Sequence, residues 1–301
     1  MKKMTLKKQQ PKKSASDIAL KIVLWIFLIT FILIALFPIY FMLLMAITPD
    51  KSLQGMPALY PREFTLEPFK HFFSAEYLFG SQVDTGWQNG YLLNTLMVCF
   101  ANVFGVVFSA SLTAYGITKV PIKGKNIIFG IILATVFLPG TVTSVPLYIM
   151  YSKFGWNGTL LPLIIPTWFG GGAMNIFLIR QFIRGIPNTY VEAAMLDGCS
   201  TFGIYRKIIL PLLKPILLYL GVSTFIGNWN DFQGPLLYLG TTRKYYTLSL
   251  ALYQDFAQLG NGFLANSQMA VGVIMMIPCV ILFAFFKNQL LEGVAAIGVK
   301  G

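Results

Sequence analysis

The sequence predicts an all-α, polytopic membrane protein with six transmembrane helices, and three observations carry this prediction. Of the 301 residues, 56% are hydrophobic and only 11% are charged, whereas about a quarter of the residues of a typical soluble domain are charged. So few charges cannot cover a water-soluble globule of this size. Six long apolar segments and a one-sided distribution of basic residues are the other two observations. Together they exclude a cytosolic enzyme, a disordered chain and a nucleic-acid binder.

Six segments are long and apolar enough to cross a membrane. The hydrocarbon core is about 30 Å thick, and a helix needs about 20 residues to span it. The predicted spans are 20–47, 91–118, 126–150, 160–183, 213–239 and 267–287. Several contain Pro or Gly, which spans tolerate where neighbouring helices satisfy the backbone. We expect these residues to produce kinks or close helix packing.

The basic residues predict which side of the membrane each segment faces. With the N-terminus inside, 17 Lys and Arg residues lie on the inner side and six on the outer side. This asymmetry predicts a multi-pass protein of the cell (plasma or inner) membrane with both termini in the cytoplasm. It also explains the net charge of +12 without a nucleic-acid partner. The chain accordingly divides into a basic cytoplasmic N-terminus (1–20), a six-helix transmembrane domain (21–287) and a cytoplasmic tail (288–301).

The sequence offers little chemistry of its own. It has one histidine and three widely spaced cysteines, which form no metal-ligand pattern, and it has no phosphate-binding loop. We therefore expect no catalytic residue, no metal site and no cofactor bound by this chain. Asp231 is the one carboxylate that the sequence places plausibly at membrane depth, although a carrier driven by protons or sodium needs ionisable groups there. If the chain belongs to a pump, its energy must come from another subunit.

The segment 184–214, between the fourth and fifth spans, carries the most information. An ordinary connection between two helices needs only a few residues. Asn188 is predicted to cap a helix and Gly198 to end it in a left-handed conformation. Ser200 or Thr201 then begins a second helix, which Pro211 ends. The prediction is a helix, a tight turn and a second helix displayed on the cytoplasmic face.

This stretch resembles the EAA loop of permeases of ATP-binding-cassette (ABC) importers. The match consists of Glu192-Ala193-Ala194, then Gly198, then Ile208-Ile209-Leu210-Pro211, with both spacings preserved. The resemblance implies the architecture of an ABC type I importer permease, in which this loop docks on an ATPase subunit. It implies ATPase-coupling roles for Glu192, Ala193, Ala194, Gly198, Ile208, Leu210 and Pro211.

The same resemblance implies a set of partners. They are a second permease subunit, two ATP-binding subunits that hold the ATP and magnesium, and an extracellular solute-binding protein. This chain would then hydrolyse no ATP itself. Its motion would couple the ATPases to alternating access of a path through the membrane.

Other segments resemble the carbohydrate branch of the family, specifically the second permease subunit of the maltose-transporter type. They are Pro61 to Phe69, Asn94-Thr95, Asn228 to Phe232 with Pro235-Leu236, and the tail from Glu292 to Gly301. The resemblance implies import of a sugar or oligosaccharide. A longer insert near 74–90 departs from that branch.

Asn228, Trp229, Asn230 and Asp231 are the predicted substrate-path residues. Amides and carboxylates bridge sugar hydroxyls, and aromatic rings pack on the apolar faces of sugars. The alternative is that this cluster breaks the helix and packs against a partner permease. At the level of function, the alternatives are a permease of the same family for another solute, such as a peptide or polyamine, and an ion-coupled carrier working alone. A structural or receptor-type membrane protein is a weaker one.

Overall fold

A computed structural model describes residues 15–49, 59–61, 63–70, 72–83, 86–258 and 265–298. The predicted all-α membrane fold is confirmed for this part of the chain, with one small β-hairpin added. The elements up to the second long helix are α1 (Ala15–Ala46), α2 (Glu67–Lys70), α3 (Ala75–Leu78), β1 (Gly80–Val83), β2 (Gly86–Asn89) and α4 (Tyr91–Lys119).

The remaining elements are again helical. The middle of the chain forms α5 (Lys125–Ala134), α6 (Gly140–Lys153), α7 (Leu161–Ile164), α8 (Ala173–Arg184), α9 (Asn188–Leu196), α10 (Thr201–Ile204) and α11 (Leu210–Leu212). The last elements are α12 (Lys214–Trp229), α13 (Gln233–Leu239), α14 (Leu248–Gln258) and α15 (Ala265–Gly298). The strands β1 and β2 pair antiparallel, with Gly80 opposite Asn89, inside the insert that the sequence predicted near 74–90.

Within the described residues, four helices are long and apolar enough to cross a membrane. They are Ala19–Ala46, Tyr91–Lys119, Leu161–Arg184 and Asn266–Gln289. Two bent pairs complete the set: Lys125–Phe137 with Gly140–Lys153, and Thr201–Leu212 with Lys214–Trp229. If each pair makes one crossing, the structure contains the six spans that the sequence predicts.

The third predicted span, 126–150, is not one straight helix. Its two halves meet at 102°, and Leu138 and Pro139 between them are extended. Proline has no N–H for the helical ladder, and it pushes the preceding residue out of the helical region. The bend therefore follows from Pro139.

The fifth predicted span, 213–239, is also interrupted. Helix α12 ends at Trp229 and α13 begins at Gln233. Between them, the Asp231 Oδ1 atom accepts a hydrogen bond of 3.2 Å from the Gly234 N–H. A short polar side chain that bonds nearby backbone in this way competes with a continuous helix. The helix break raised as an alternative for this cluster is thus observed.

Helix α4 is the centre of the packing, in contact with α8, α12, α14 and the segment 161–168. One hydrophobic cluster, here named the loop-side cluster, joins the α4 residues Ala110, Ala114 and Tyr115 to α8, α9 and α12. A second, the far-side cluster, surrounds Tyr91 and Cys99 at the other end of α4. Helix α4 thus packs against elements of the third, fourth and fifth spans.

Asn94 and Thr95, at the beginning of α4, have structural roles. The buried Asn94 amide donates to the carbonyl oxygens of Lys244 and Tyr246, both at 3.0 Å. The Thr95 hydroxyl oxygen accepts a hydrogen bond of 2.8 Å from the Leu248 N–H. This N–H lies at the start of α14, where backbone donors have no partner within the helix. The pair thus fixes α14 and the turn before it on the far side.

Candidate functional site

The segment 184–214 folds as a helical hairpin whose turn is a Schellman motif. After α9, the Cys199 N–H donates to the Ala194 carbonyl at 2.9 Å and the Gly198 N–H donates to the Met195 carbonyl at 3.0 Å. Gly198 has φ +77°, a conformation that glycine adopts at little cost. The predicted left-handed turn at Gly198 is confirmed.

The second helix begins as predicted. The Ser200 Oγ atom accepts the Gly203 N–H at 3.1 Å, which caps α10. The end of this arm differs from the prediction because Pro211 lies within α11, and the chain bends by 76° at Leu213 instead. Between α10 and α11, residues Tyr205–Ile209 form a π-helical turn, and such turns are frequent at functional sites.

The predicted cap at Asn188 is wrong in its detail. The capping position belongs to Pro187, whose backbone is extended, and Asn188 is the first helical residue. Proline has no side-chain acceptor for the N–H groups of the first turn, so the helix begins without a side-chain cap. The Asn188 side chain instead accepts a hydrogen bond of 2.6 Å from the Lys119 ammonium group at the end of α4.

The hairpin divides the predicted coupling residues between two environments. Glu192, Ala193 and Gly198 are exposed, whereas Ala194 belongs to the loop-side cluster. Ile208 and Leu210 pack against that cluster, and Pro211 is exposed. The surface beside the outward residues is apolar: Leu196 is 90% exposed, and it is accompanied by Tyr190, Met195 and Phe202. The coupling role itself stays a prediction at this point.

Three side chains of α4 attach both arms of the hairpin. Lys119 donates to the Ile186 carbonyl at 2.8 Å, ahead of α9. The Tyr115 hydroxyl donates to the Thr201 carbonyl at 2.9 Å, and Ser111 shares a hydrogen bond of 2.8 Å with the Tyr205 hydroxyl. The sequence analysis missed this set. The sequence feature that indicates this set is the spacing of four residues between Ser111, Tyr115 and Lys119, which puts the three side chains on one face of α4.

A polar network ties α4 to two other spans farther from the hairpin. The Asn102 amide donates to the Leu163 carbonyl at 3.0 Å and to the Asn228 Oδ1 atom at 2.5 Å. The Thr167 hydroxyl donates to the Asn102 Oδ1 atom at 2.7 Å. Amide and hydroxyl groups inside a membrane protein need such partners, and here they join the fourth span to α12.

The four predicted substrate-path residues lie around the end of α12. Asn228 belongs to the network just described, and Asn230 is exposed. Asp231 is half-buried, and its carboxylate accepts the Gly234 N–H in the first turn of α13. The Trp229 ring is only 3% exposed, stacks on Phe225, and donates its Nε1–H to the Met275 carbonyl at 2.9 Å. Their contact with substrate stays a prediction.

The fourth span is unwound at its centre, at glycines where the sequence analysis expected only a kink or close helix packing. A 3₁₀ turn, Ile165–Trp168, leads into Gly170, Gly171 and Gly172, whose φ angles are +93°, +66° and +94°. A side chain at Gly171 would lie 2.9 Å from the Ala110 Cβ atom of α4. The Phe169 ring is 83% exposed beside this break, next to Trp168. The signal was available: two aromatic residues precede three consecutive glycines.

Metal binding finds no support in the described part of the chain. No group of three or more His, Cys, Asp or Glu side chains lies close enough there to hold a metal ion. The expectation that this chain binds no metal or cofactor stays a prediction.

Comparison with known proteins identifies the family. Residues 101–294 match the binding-protein-dependent transport system inner membrane component family. The chain belongs to this family. The matched region contains the whole hairpin, the unwound segment and the end of α12.

Individual relatives extend over nearly the full length of the permease. It is 26% identical over 288 residues to the arabinooligosaccharides transport system permease protein AraQ of Bacillus subtilis, covering 93% of this chain and 96% of AraQ. It is 30% identical over 279 residues to the putative ABC transporter permease protein ORF2 of a Caldicellulosiruptor species, covering 92% of this chain and 96% of ORF2.

A solved structure has the same fold. A chain of a bacterial ABC transporter involved in the import of the acidic polysaccharide alginate superposes with a TM-score of 0.76 at 21% identity. The match covers 93% of the permease and 99% of that chain. The predicted permease architecture is thereby confirmed.

Replacing Gly198 of the permease tests the hairpin turn. A Cβ atom there meets nothing within 4 Å, so Gly198→Ala changes only the cost of the left-handed conformation, about 1–2 kcal/mol. We expect local opening of the hairpin to become about 5- to 30-fold more frequent. Limited proteolysis between residues 184 and 214 of the membrane-embedded protein measures this opening.

Two controls accompany the substitution. Gly198→Asn should lie between wild type and Gly198→Ala, because Asn tolerates the left-handed region. Gly116→Ala lies inside α4, where a Cβ atom also meets nothing within 4 Å, and should leave the rate of cleavage unchanged. Equal cleavage of Gly198→Ala and wild type would contradict the role given to the turn.

Proposed function

We propose that this permease is a transmembrane subunit of an ATP-driven, binding-protein-dependent importer of sugars or oligosaccharides. The observation that carries the proposal is the hairpin, which displays an apolar surface outside the membrane spans while its base is attached to α4. The substrate class is supported by relatives named for arabinooligosaccharides, for polygalacturonan and rhamnogalacturonan, and for starch degradation products. In this proposal the hairpin side of the membrane is the cytoplasm, and both termini lie there.

The apolar surface of the hairpin fits a protein partner. Burial of a large aliphatic side chain such as Leu196 stabilises a protein by about 1.5–3 kcal/mol relative to leaving it in water. Contiguous exposed apolar residues therefore mark interaction sites. An ATPase subunit that covers Tyr190, Met195 and Leu196 recovers this energy. Ala193 lets the two surfaces approach closely, and Glu192 meets basic or backbone donors at the edge. ATP and magnesium are bound by the two ATPase subunits in this assembly.

The sequence of the spans argues against an ion-coupled carrier. None of the six candidate spans contains Asp or Glu, and Asp231 lies two residues beyond the end of α12. Carriers driven by protons or sodium use such groups inside the membrane. Energy supplied through the hairpin requires none of them.

Helix α4 transmits the movement of the hairpin. Because Ser111, Tyr115 and Lys119 hold both arms, displacement of the hairpin carries α4 with it. The ATPases and the loaded binding protein must each bind the outward-open state more tightly, since a ligand shifts a conformational equilibrium only through such a difference. The binding protein docks on the far side, where α14 is fixed to α4.

The sugar path is formed by the exposed ring of Phe169 and the polar end of α12. Aromatic rings pack on the apolar faces of sugars, while the amide of Asn230 and the carboxylate of Asp231 bond hydroxyls. The Thr167–Asn102–Asn228 network holds the two sides of the path together. In this arrangement the buried Trp229 ring holds the end of α12 against Met275 and becomes a contact residue only if α12 moves.

A second permease completes the path. The side chains of α1 from residue 20 to 37 are all exposed, whereas the other end of the helix packs against α15. We propose a heterodimer in which the two permeases share one translocation path. A permease of the same family for a peptide or polyamine would share this assembly and differ in the solute that is taken up.

Leu196→Arg tests the docking surface. The charge cannot be buried in an apolar interface, and loss of a central contact costs about 2 kcal/mol or more. We expect at least about a tenfold loss of ATPase subunits that co-purify with the permease in detergent, with loss of sugar uptake. Ile122→Arg replaces another exposed aliphatic residue between α4 and α5 and should change neither measurement.

The same uptake assay separates ATP drive from ion coupling. Collapse of the proton and sodium gradients at constant ATP should leave wild-type uptake intact. Uptake that stops under these conditions, or full co-purification with Leu196→Arg, would contradict the proposed function. Growth of a deletion strain on individual sugars, peptides and polyamines identifies the solute.

Removal of the hydroxyl groups between α4 and the hairpin tests transmission. Tyr115→Phe and Tyr205→Phe each lose one hydrogen bond, worth about 0.5–1.5 kcal/mol. Each variant keeps the contact between the two rings, whose centroids lie 5.3 Å apart. We expect ATP hydrolysis to continue in the reconstituted transporter. The amount of sugar moved per ATP should fall about twofold to tenfold for each bond lost.

Tyr148→Phe provides the matched control, because this exposed residue of α6 lies outside the attachment to the hairpin. It should leave the ratio of sugar to ATP unchanged. A proportional loss of transport and hydrolysis in the two test variants would indicate a purely structural role.

Phe169→Ala tests the aromatic side of the path. Loss of the ring should raise the sugar concentration needed for half-maximal uptake about twofold to tenfold, as expected for an aromatic contact of about 0.5–1.5 kcal/mol. Phe285→Ala removes a ring of similar exposure from α15 and should have no effect. An unchanged concentration dependence in Phe169→Ala would remove this residue from the path.

A further inference from the structure

An apolar groove lies among α4, α12 and α15. Its volume is about 850 Å³, and its walls include Val103 and Val107 of α4, Leu218 and Phe225 of α12, and Leu282 of α15. Leu210 and Pro211, which begin α11, close the end nearest the hairpin. Apart from Leu210 and Pro211, to which the family resemblance gives a coupling role, the groove shares no residue with the proposed sugar path or docking surface.

The groove extends over only half of a membrane. Along α12 its lining runs from Lys214 to Phe225, which is about 16 Å at 1.5 Å per residue. The hydrocarbon core is about 30 Å thick, so the groove matches a single leaflet, the one on the hairpin side. A helix that crosses the whole membrane would extend well beyond it.

The same end of the groove is basic. Lys214 lines it and is exposed, and Lys287 is exposed directly after the lining residue Phe286. Between Asp197 and Asp231 the sequence contains Arg206, Lys207 and Lys214 but no acidic residue. A lysine next to apolar walls places its amine at the depth of the lipid headgroups.

We propose that this groove binds an anionic phospholipid of the leaflet on the hairpin side. An acyl chain fills the apolar walls, and the phosphate meets Lys214. Basic pockets between transmembrane helices select anionic headgroups by this combination. The exposed Lys214 ammonium group favours a lipid headgroup as occupant, because an apolar partner helix offers it no anion. The proposal goes beyond the proposed transport function, and only its test, which uses the assembled complex, rests on that function.

Photo-labelling of the assembled complex tests the proposal. The complex is placed in nanodiscs with phosphatidylglycerol that carries a photoactivatable acyl chain, and in parallel with phosphatidylcholine that carries the same chain. We expect phosphatidylglycerol to label the peptides that contain Val103 and Leu218 about fivefold more strongly, the factor for one lysine near an anionic headgroup. Lys214→Gln should remove this preference, whereas Lys123→Gln, at another exposed lysine, should keep it.

A second pair of variants fills the groove instead of changing its charge. A Cβ atom at Gly221 lies 3.6 Å from Val103 and 3.9 Å from Val107, which is ordinary contact, so Gly221→Leu should occupy the groove and prevent labelling by both lipids. Gly227→Leu lies on the same helix, where a Cβ atom meets nothing within 4 Å, and should leave labelling unchanged.

Two results would overturn the proposal. In the first, the two lipids label the wild-type protein equally, and Lys214→Gln does not change the labelling. The other is efficient cross-linking of a Gly221→Cys variant to the second permease, because this would show that protein fills the groove.

Discussion

The attachment of the helical hairpin to one face of α4 is the constraint on which the rest of the structure depends. Ser111, Tyr115 and Lys119 recur at a spacing of four residues, so that one rigid helix holds both arms of the hairpin. The Schellman turn at Gly198 fixes the angle between those arms. In the proposed assembly, a partner that moves the apolar tip would therefore move α4 with it.

The same helix reaches the polar network at Asn102. From Lys119 to Asn102 the distance along the helix is about 26 Å at 1.5 Å per residue, most of the thickness of the hydrocarbon core. At that depth Asn102 bonds the fourth span and the end of α12 together. A displacement applied outside the membrane thus arrives where the sugar path is proposed, through a single helix that is half buried by its neighbours.

Sequence patterns predicted the features that are encoded locally. The six apolar segments, the left-handed turn at Gly198 and the cap at Ser200 follow from composition and from the conformational preferences of single residues. The bend at Pro139 has a local cause as well, but length and hydropathy alone treat the segment as one span. The site residues were harder to predict because their roles depend on neighbours distant in sequence. Trp229 has the right ring for a sugar, yet its burial is decided by Phe225 and Met275.

The neutrality of the buried network suits a protein that alternates between two states. Asn102, Thr167 and Asn228 offer donors and acceptors without charge, so that a change of partner leaves no unpaired ion inside the membrane. Each exchange of such bonds costs little net free energy, whereas a broken buried ion pair would cost several kcal/mol. If the permease is driven from outside the membrane as proposed, its spans must rearrange easily, and neutral amides and hydroxyls at the contacts between spans allow this. The absence of carboxylates from the candidate spans and the presence of amides at their contacts are two consequences of the same requirement.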